Sequence, residues 1–327
     1  MRAMRLHQVM TPLVLDDIPI PVPAEGEVLI RVSACAVCRT DLHIIDGDLP
    51  PHRLPLVPGH EIVGVVAGLG PATQGLALGD RVGVTWLGGT CGVCRYCRAG
   101  RENLCDFPVF TGYDRDGGYA EYCVARAAYC VRLPLGGTDE HIAPLMCAGL
   151  IGFRSYRRAA PAKRLGLVGF GAAAHIIAQV AQADGIDVYA FTRPGDVAGQ
   201  EFARRLGAVW SGGSDERPAE LLDAAIIFAP DGGLVPLALR LVRKGGSVIA
   251  AGIHMSDVPS FPYGDLWGER EIASIANLTR ADAADFFARF GSSGLQTNVT
   301  TYPLERANEA LRDLREGGFT GAAVLVP

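Results

Sequence analysis

At 327 residues the chain exceeds the usual single-domain length, and 49% hydrophobic with 20% charged residues, 41 glycines and 21 prolines describe a compact globular protein rich in tight turns. Its net charge of -5 arises from 35 acidic and 30 basic side chains without a basic stripe, which argues against a nucleic-acid partner. Acidic and proline-rich sequence follows the N-terminus before any signal-like apolar core, and no run reaches the roughly 18 apolar residues of a membrane span, so a soluble, cytoplasmic protein with no membrane partner is expected.

From Met1 to about Leu150, short β-branched runs are broken by Gly and Pro: "EVLIRVSAC", "EIVGVVAGLG", "DRVGVTW" and "YAEYCVA". That half should be mostly β. From Arg164 apolar runs alternate with helical patterns: "RLGLVGF" before "AAAHIIAQVAQADG", "DVYAFT" before "GQEFARRLGA", "AAIIFAP" before "LVPLALRLVRKGG", then "SVIAAGI". The alternation predicts a parallel sheet wrapped by helices, so the fold class is α/β. The tail, with "ADAADFFARFGSSG" and "LERANEALRDLREGGFTGAAVLVP", adds two helices and a closing strand.

Chemistry-bearing residues appear in the same order. Cys38 in "CAVCRTDLH", His60 and Glu61 in "PGHE", and Cys147 in "PLMCAGL" are scattered as an active site built from several loops would be. Two thiolates and an imidazole offer three protein ligands and leave a fourth position open, the arrangement of a catalytic zinc in alcohol oxidation. Taken singly, each of these residues reads as readily as core or turn. Between them, "CGVCRYCRAGRENLC" places Cys91, Cys94, Cys97 and Cys105 so that four thiolates can close on one zinc ion. A site closed by four cysteines has no open position, so its work is structural; the alternative is free or disulfide-bonded cysteines.

In "LGLVGFGAAAH", Gly169, Gly171 and Ala174 form G-x-G-x-x-A between a predicted strand and helix, a dinucleotide-binding turn with the helix N-terminus at Ala172 facing the phosphates. The next strand ends in Thr192 and Arg193, where a carboxylate would mark NAD. Thr can hydrogen-bond a 2′-phosphate and Arg can pair with it, which favours NADP(H) over NAD(H).

Together "CRTDLH", "PGHE", "GDRV", the four-cysteine loop, "GGYAEY", the Cys-Ala-Gly segment and the glycine turn resemble the zinc-dependent medium-chain alcohol dehydrogenase family over nearly the whole chain. The resemblance implies a GroES-like catalytic domain over residues 1–150, a Rossmann cofactor domain over 151–288 and a segment, 289–327, returning to the catalytic domain. It implies two zinc ions per chain, with Glu61 as an alternate ligand of the catalytic one, Asp41 orienting His60, and a proton relay from Thr40 to His43. It places Trp86 in the substrate pocket, though ordinary core packing is the competing reading, and Gly252 and Ile253 beside the nicotinamide, with His254 and Met255 following. A homodimer or homotetramer is also implied. The family's usual hydroxyl near the nicotinamide is replaced by Ile151, and Ala322 and Ala323 stand where an arginine often meets the pyrophosphate. His7, His52, His141 and His175 are expected to be structural or surface residues.

The function so implied is hydride transfer between NADP(H) and an alcohol–aldehyde pair. A polyol or sugar dehydrogenase is the alternative of the same fold, against which Cys147 argues, because those relatives commonly carry a carboxylate there. The alternative of another class is a non-catalytic nucleotide-binding regulator that retains only the structural zinc.

Overall fold

The computed structural model describes residues 1–133, 136–291 and 294–327, and the chain forms two compact units, Met1–Leu150 with Asn277–Pro327, and Ile151–Ala276. The first unit is built on the strand Glu27–Val37, whose side chains alternate between buried and exposed before the last four are all buried. That change of pattern marks where the strand passes from the sheet's half-solvated part into its core. The strand sits in a seven-stranded sheet ordered Val299–Pro303, Ala322–Val326, Glu27–Val37, Glu61–Leu69, Arg81–Val84, Cys130–Arg132, with Tyr122–Arg126 also paired to Glu27–Val37. Every pairing is antiparallel except that of Val299–Pro303 with Ala322–Val326. The edge strand Val299–Pro303 was not expected from its sequence, because it buries only Tyr302 fully and ends in proline.

The second unit is a six-stranded parallel sheet ordered Trp210–Gly213, Asp187–Thr192, Arg164–Val168, Leu222–Ile227, Val242–Ala250, Glu271–Ser274. The strand order reverses beside Arg164–Val168, and such a switch point opens a crevice at the strands' carboxyl ends. The glycine turn leaves that strand.

The chain rejoins the first unit at Asn277, earlier than the 289 boundary read from the sequence. Helix Arg280–Phe290 accounts for the difference. Thr279 caps it by accepting from the Asp282 N–H, Arg280 pairs with Glu102 at 3.1 Å, and Phe286 is buried near Gly149. An amphipathic helix presents the same periodicity whichever core it covers, so its sequence could not say which. Among the described residues, no helix is long and apolar enough to cross a membrane.

Candidate active site

Cys38 follows the strand Glu27–Val37 and sits at the N-cap of helix Arg39–Asp46. Ala36 lies opposite Glu61 in the antiparallel register, so the chain just outside these two positions brings Cys38 and His60 to one place. Cys147 arrives at the end of the 3-10 turn Ala143–Met146, whose Met146 is fully buried over Gly83, where a Cβ would collide with its sulfur. One ligand atom from each of Cys38, His60, Glu61 and Cys147 then lies within 4.8 Å of the others.

The electrostatics are those of a site that needs a cation. Cys38 is held well below the usual thiol range, chiefly by the hydrogen bond it accepts from Cys147, then by His60; the Cys147 thiol, as donor, is pushed well up. Burial also pushes the Glu61 carboxyl well above the usual carboxylate range, with the Cys38 thiolate adding to it. For His60 burial favours the neutral ring, but Asp41 and Cys38 outweigh it and raise its pKa well above the usual value. The Nδ1 of His60 faces Asp41 Oδ1 at 3.2 Å, while its Nε2 is buried with no hydrogen-bond partner. A buried nitrogen left unpaired among two sulfurs and a carboxylate fits a borderline-soft metal such as zinc.

The "PGHE" and "GGYAEY" motifs dock on each other. Gly117, Gly118 and Tyr119 donate backbone N–H groups to Val57, Gly59 and Pro58 oxygens at 2.7, 2.9 and 3.0 Å. Gly59 has φ +96°, and a Cβ there would come within 2.7 Å of Tyr119 Cε1 and closer still to Cδ1. Only glycine accepts both the backbone angle and the ring. Trp86 is buried edge-on to His60, with ring centroids 4.9 Å apart, and stacks on Phe110 at 5.0 Å. It is at once a core residue and a wall beside the cluster. Thr40 is buried with its hydroxyl 3.6 Å from Cys38 Sγ, and His43 Nδ1 pairs with Asp48 at 2.9 Å.

In the cysteine loop, Cys91, Cys94, Cys97 and Cys105 bring their sulfurs within 4.8 Å of one another, and all nine cysteines of the chain are free thiols, which removes the disulfide alternative. Backbone N–H groups of Cys97 and Asp106 pull the Cys94 thiol down to about 6, whereas burial pushes Cys105 up to about 11. Amides of Cys91 and Phe107 each donate to Cys105 Sγ at 3.3 Å. A loop that turns N–H groups inward onto sulfur is arranged for thiolates, and four thiolates at this separation fit one tetrahedral zinc.

In the second unit, Gly169 has φ +89°, and a Cβ on it would sit 2.9 Å from the Ala229 nitrogen. A Cβ on Gly171, the residue that caps helix Ala172–Ala183, would meet nothing within 4 Å. That open cradle at a twelve-residue helix's N-terminus fits a pyrophosphate, and fully buried Ala174 keeps the helix close to its sheet. Thr192 closes the strand Asp187–Thr192. It is buried, and its hydroxyl is engaged with the Arg193 and Gly212 carbonyls and with Gln200. Arg193 is exposed at the same strand end, although Glu216 also stands close by, accepting from Gly213 N–H at 2.9 Å. Gly252 follows the strand Val242–Ala250, and Ile253 is 52% exposed, unusual for its type. Met255 packs on the unit's core.

Comparison with known proteins agrees with this geometry. Residues 24–135 match the family model "Alcohol dehydrogenase GroES-like domain". The probable alcohol dehydrogenase AdhA of Mycobacterium tuberculosis is 48% identical over 94% of this chain and 90% of its own length. An alcohol dehydrogenase of Geobacillus stearothermophilus is 35% identical over 99% of each chain. The chain belongs to the medium-chain alcohol dehydrogenase family. The cobalt- and zinc-bound thermostable alcohol dehydrogenase from Pyrobaculum aerophilum superposes with a TM-score of 0.91 at 26% identity, covering 100% of this chain and 99% of that one.

As an alcohol dehydrogenase, an oxidoreductase of the zinc type, the protein has parts that its sequence did not reveal. Tyr119, Phe110 and Tyr113 border the cluster through Asp41 and Trp86, with the Trp86 and Tyr113 ring centroids 5.7 Å apart. The motif "GGYAEY" marked Tyr119, but nothing local tied it to Asp41. His7, His52 and His141 pair with Asp16, Asp114 and the Thr297 carbonyl at 2.7, 2.6 and 2.7 Å, while His175 is buried in its helix.

Proposed function

We propose that this alcohol dehydrogenase binds zinc through Cys38, His60 and Cys147, holds a second, structural zinc through Cys91, Cys94, Cys97 and Cys105, and transfers hydride between NADP(H) and an alcohol–aldehyde pair bearing an apolar group. The observation that carries the reading is the buried, unpartnered Nε2 of His60 among two sulfurs and a carboxylate. When bound, zinc supplies a Lewis acid for the substrate oxygen and the nicotinamide accepts or returns the hydride.

The chain's own residues do the rest. Cys38 and Cys147 serve as thiolates and His60 through Nε2, three ligands that leave one position to the substrate, with Glu61 near enough to serve as an alternate. Asp41 accepts the hydrogen bond of the His60 Nδ1–H, holding the proton there and so keeping the lone pair on Nε2. The Thr40 hydroxyl accepts the proton of the alcohol while giving up its own toward His43, and in the reverse direction the same exchange runs backwards. His43, paired to the half-exposed Asp48, stands as the exit of that proton toward solvent. Trp86, with Phe110 stacked on it, offers an apolar face, which favours a hydrophobic alcohol over a polyol.

For the cofactor, Gly169, Gly171, Ala172 and Ala174 form the pyrophosphate turn, and Gly252 and Ile253 border the nicotinamide. Arg193 is the group that would pair with a 2′-phosphate, and Thr192, at the same strand end with its hydroxyl on the Gly212 carbonyl, is the second candidate to meet it. Assembly as a homodimer or homotetramer and a cytoplasmic location belong to this reading too.

The test is a kinetic screen of alcohols and aldehydes against both cofactors, with metal analysis. Two zinc ions per chain and NADP(H)-dependent turnover of hydrophobic substrates are expected. Turnover far better with NAD(H), or unchanged NADP(H) affinity in Arg193→Asp, would overturn the cofactor assignment, and one zinc with no turnover would overturn the whole reading.

A further inference from the structure

We propose that Tyr119 is a positioning residue of the metal site, fixing Asp41 and through it the ring of His60. The inference rests on the metal reading above and concerns a residue two hydrogen bonds from the ligand nitrogen. Asp41 is fully buried, and its carboxylate meets three donors. Oδ2 accepts the Tyr119 hydroxyl at 2.9 Å and the Cys38 N–H at 2.9 Å, while Oδ1 faces His60 Nδ1 at 3.2 Å. A carboxylate withdrawn from water holds a single orientation only when its oxygens are engaged. Two donors on Oδ2 fix the carboxylate plane and leave Oδ1 to the imidazole.

Tyr119 is itself immobilised. Its N–H donates to Pro58 O at 3.0 Å, its carbonyl accepts from Met4 N–H at 2.8 Å, and its ring lies over Gly59. The segment carrying His60 is therefore gripped twice by the same residue: at the backbone through Pro58 and Gly59, and at the imidazole through Asp41. A phenylalanine would keep the ring and the backbone bonds and lose only the hydroxyl, which separates positioning from packing.

The experiment measures zinc transfer to a chromophoric chelator from wild type, Y119F and Cys147→Ser, the last marking which phase belongs to the His60 site. Y119F should yield that zinc about 10-fold more readily, the lower end of what loss of an outer partner costs a metal ligand. The zinc of the cysteine lobe should be released as in wild type. If Y119F holds both ions as tightly as wild type, or loses both alike, Tyr119 does not position the site and the inference is overturned. A wild-type chain carrying only one zinc would instead overturn the underlying metal reading.

Discussion

Asp41→Asn tests the site at its most constrained point. Asp41 Oδ2 is faced by two donors, the Cys38 N–H and the Tyr119 hydroxyl, each at 2.9 Å. An amide nitrogen cannot sit there, so the asparagine oxygen must, and its NH2 turns to His60 Nδ1, where the carboxylate oxygen stood at 3.2 Å. That nitrogen must then accept, which moves the ring proton to Nε2 and removes the lone pair a metal needs. Loss of an outer partner of a ligating histidine costs about 10–100-fold in metal affinity, or about 1.4–2.7 kcal/mol, and imposing the wrong tautomer belongs at the upper end. Asp41→Ala leaves the ring free to choose its tautomer but strands two buried donors at a cost of about 1–3 kcal/mol each. The expected order follows: Asn binds zinc more weakly than Ala, while Ala melts lower than Asn. Chelator competition and thermal melts of the three proteins measure it. Asn binding zinc within twofold of wild type, or better than Ala, would refute the tautomer argument.

Gly59→Ala should destabilise the first unit, since the left-handed angle costs about 1–2 kcal/mol and overlap with the Tyr119 ring about 1–3 kcal/mol. For a unit of this size that lowers its melting temperature by about 10 °C, and an unchanged melt would contradict the docking of the two motifs. Burial lowers the pKa of His175 from 6.5 to about 4, so between those values the unfolded chain takes up a proton that the folded chain refuses. The His175 contribution to the second unit's stability should therefore fall as pH drops from 6.5 toward 4, by about 3 kcal/mol in all, and be fully present above that window. Urea midpoints against pH would show it, and His175→Leu retaining the full slope would assign it elsewhere. Cys94→Ser should lose one zinc and raise proteolysis in the 91–105 loop while the folded fraction keeps its kcat within about twofold. An isolated loss of kcat in a stable protein would overturn that division of labour.

Features carried by short spacings were readable before any fold was known. The sulfurs of Cys91, Cys94, Cys97 and Cys105 meet because few residues separate them, and the turn at Gly169 and Gly171 is closed by its own strand and helix. The alternation of strands and helices after Arg164 likewise announces a parallel sheet, since each apolar run has to find cover on both faces. Thr192 shows the limit of such reading: its position at a strand end was evident, but not that its hydroxyl turns inward to the Gly212 carbonyl.

Residue types, their order along the chain and the chemistry they could perform were settled by the amino-acid string, because ligand identity and backbone preference are local properties. Three-dimensional packing alone decided that Tyr119 meets Asp41 across 78 residues, and that helix Arg280–Phe290 covers the first core. Such pairings depend on strand register and on which apolar face is left uncovered. Those are properties of the whole fold, and no short stretch of sequence encodes them.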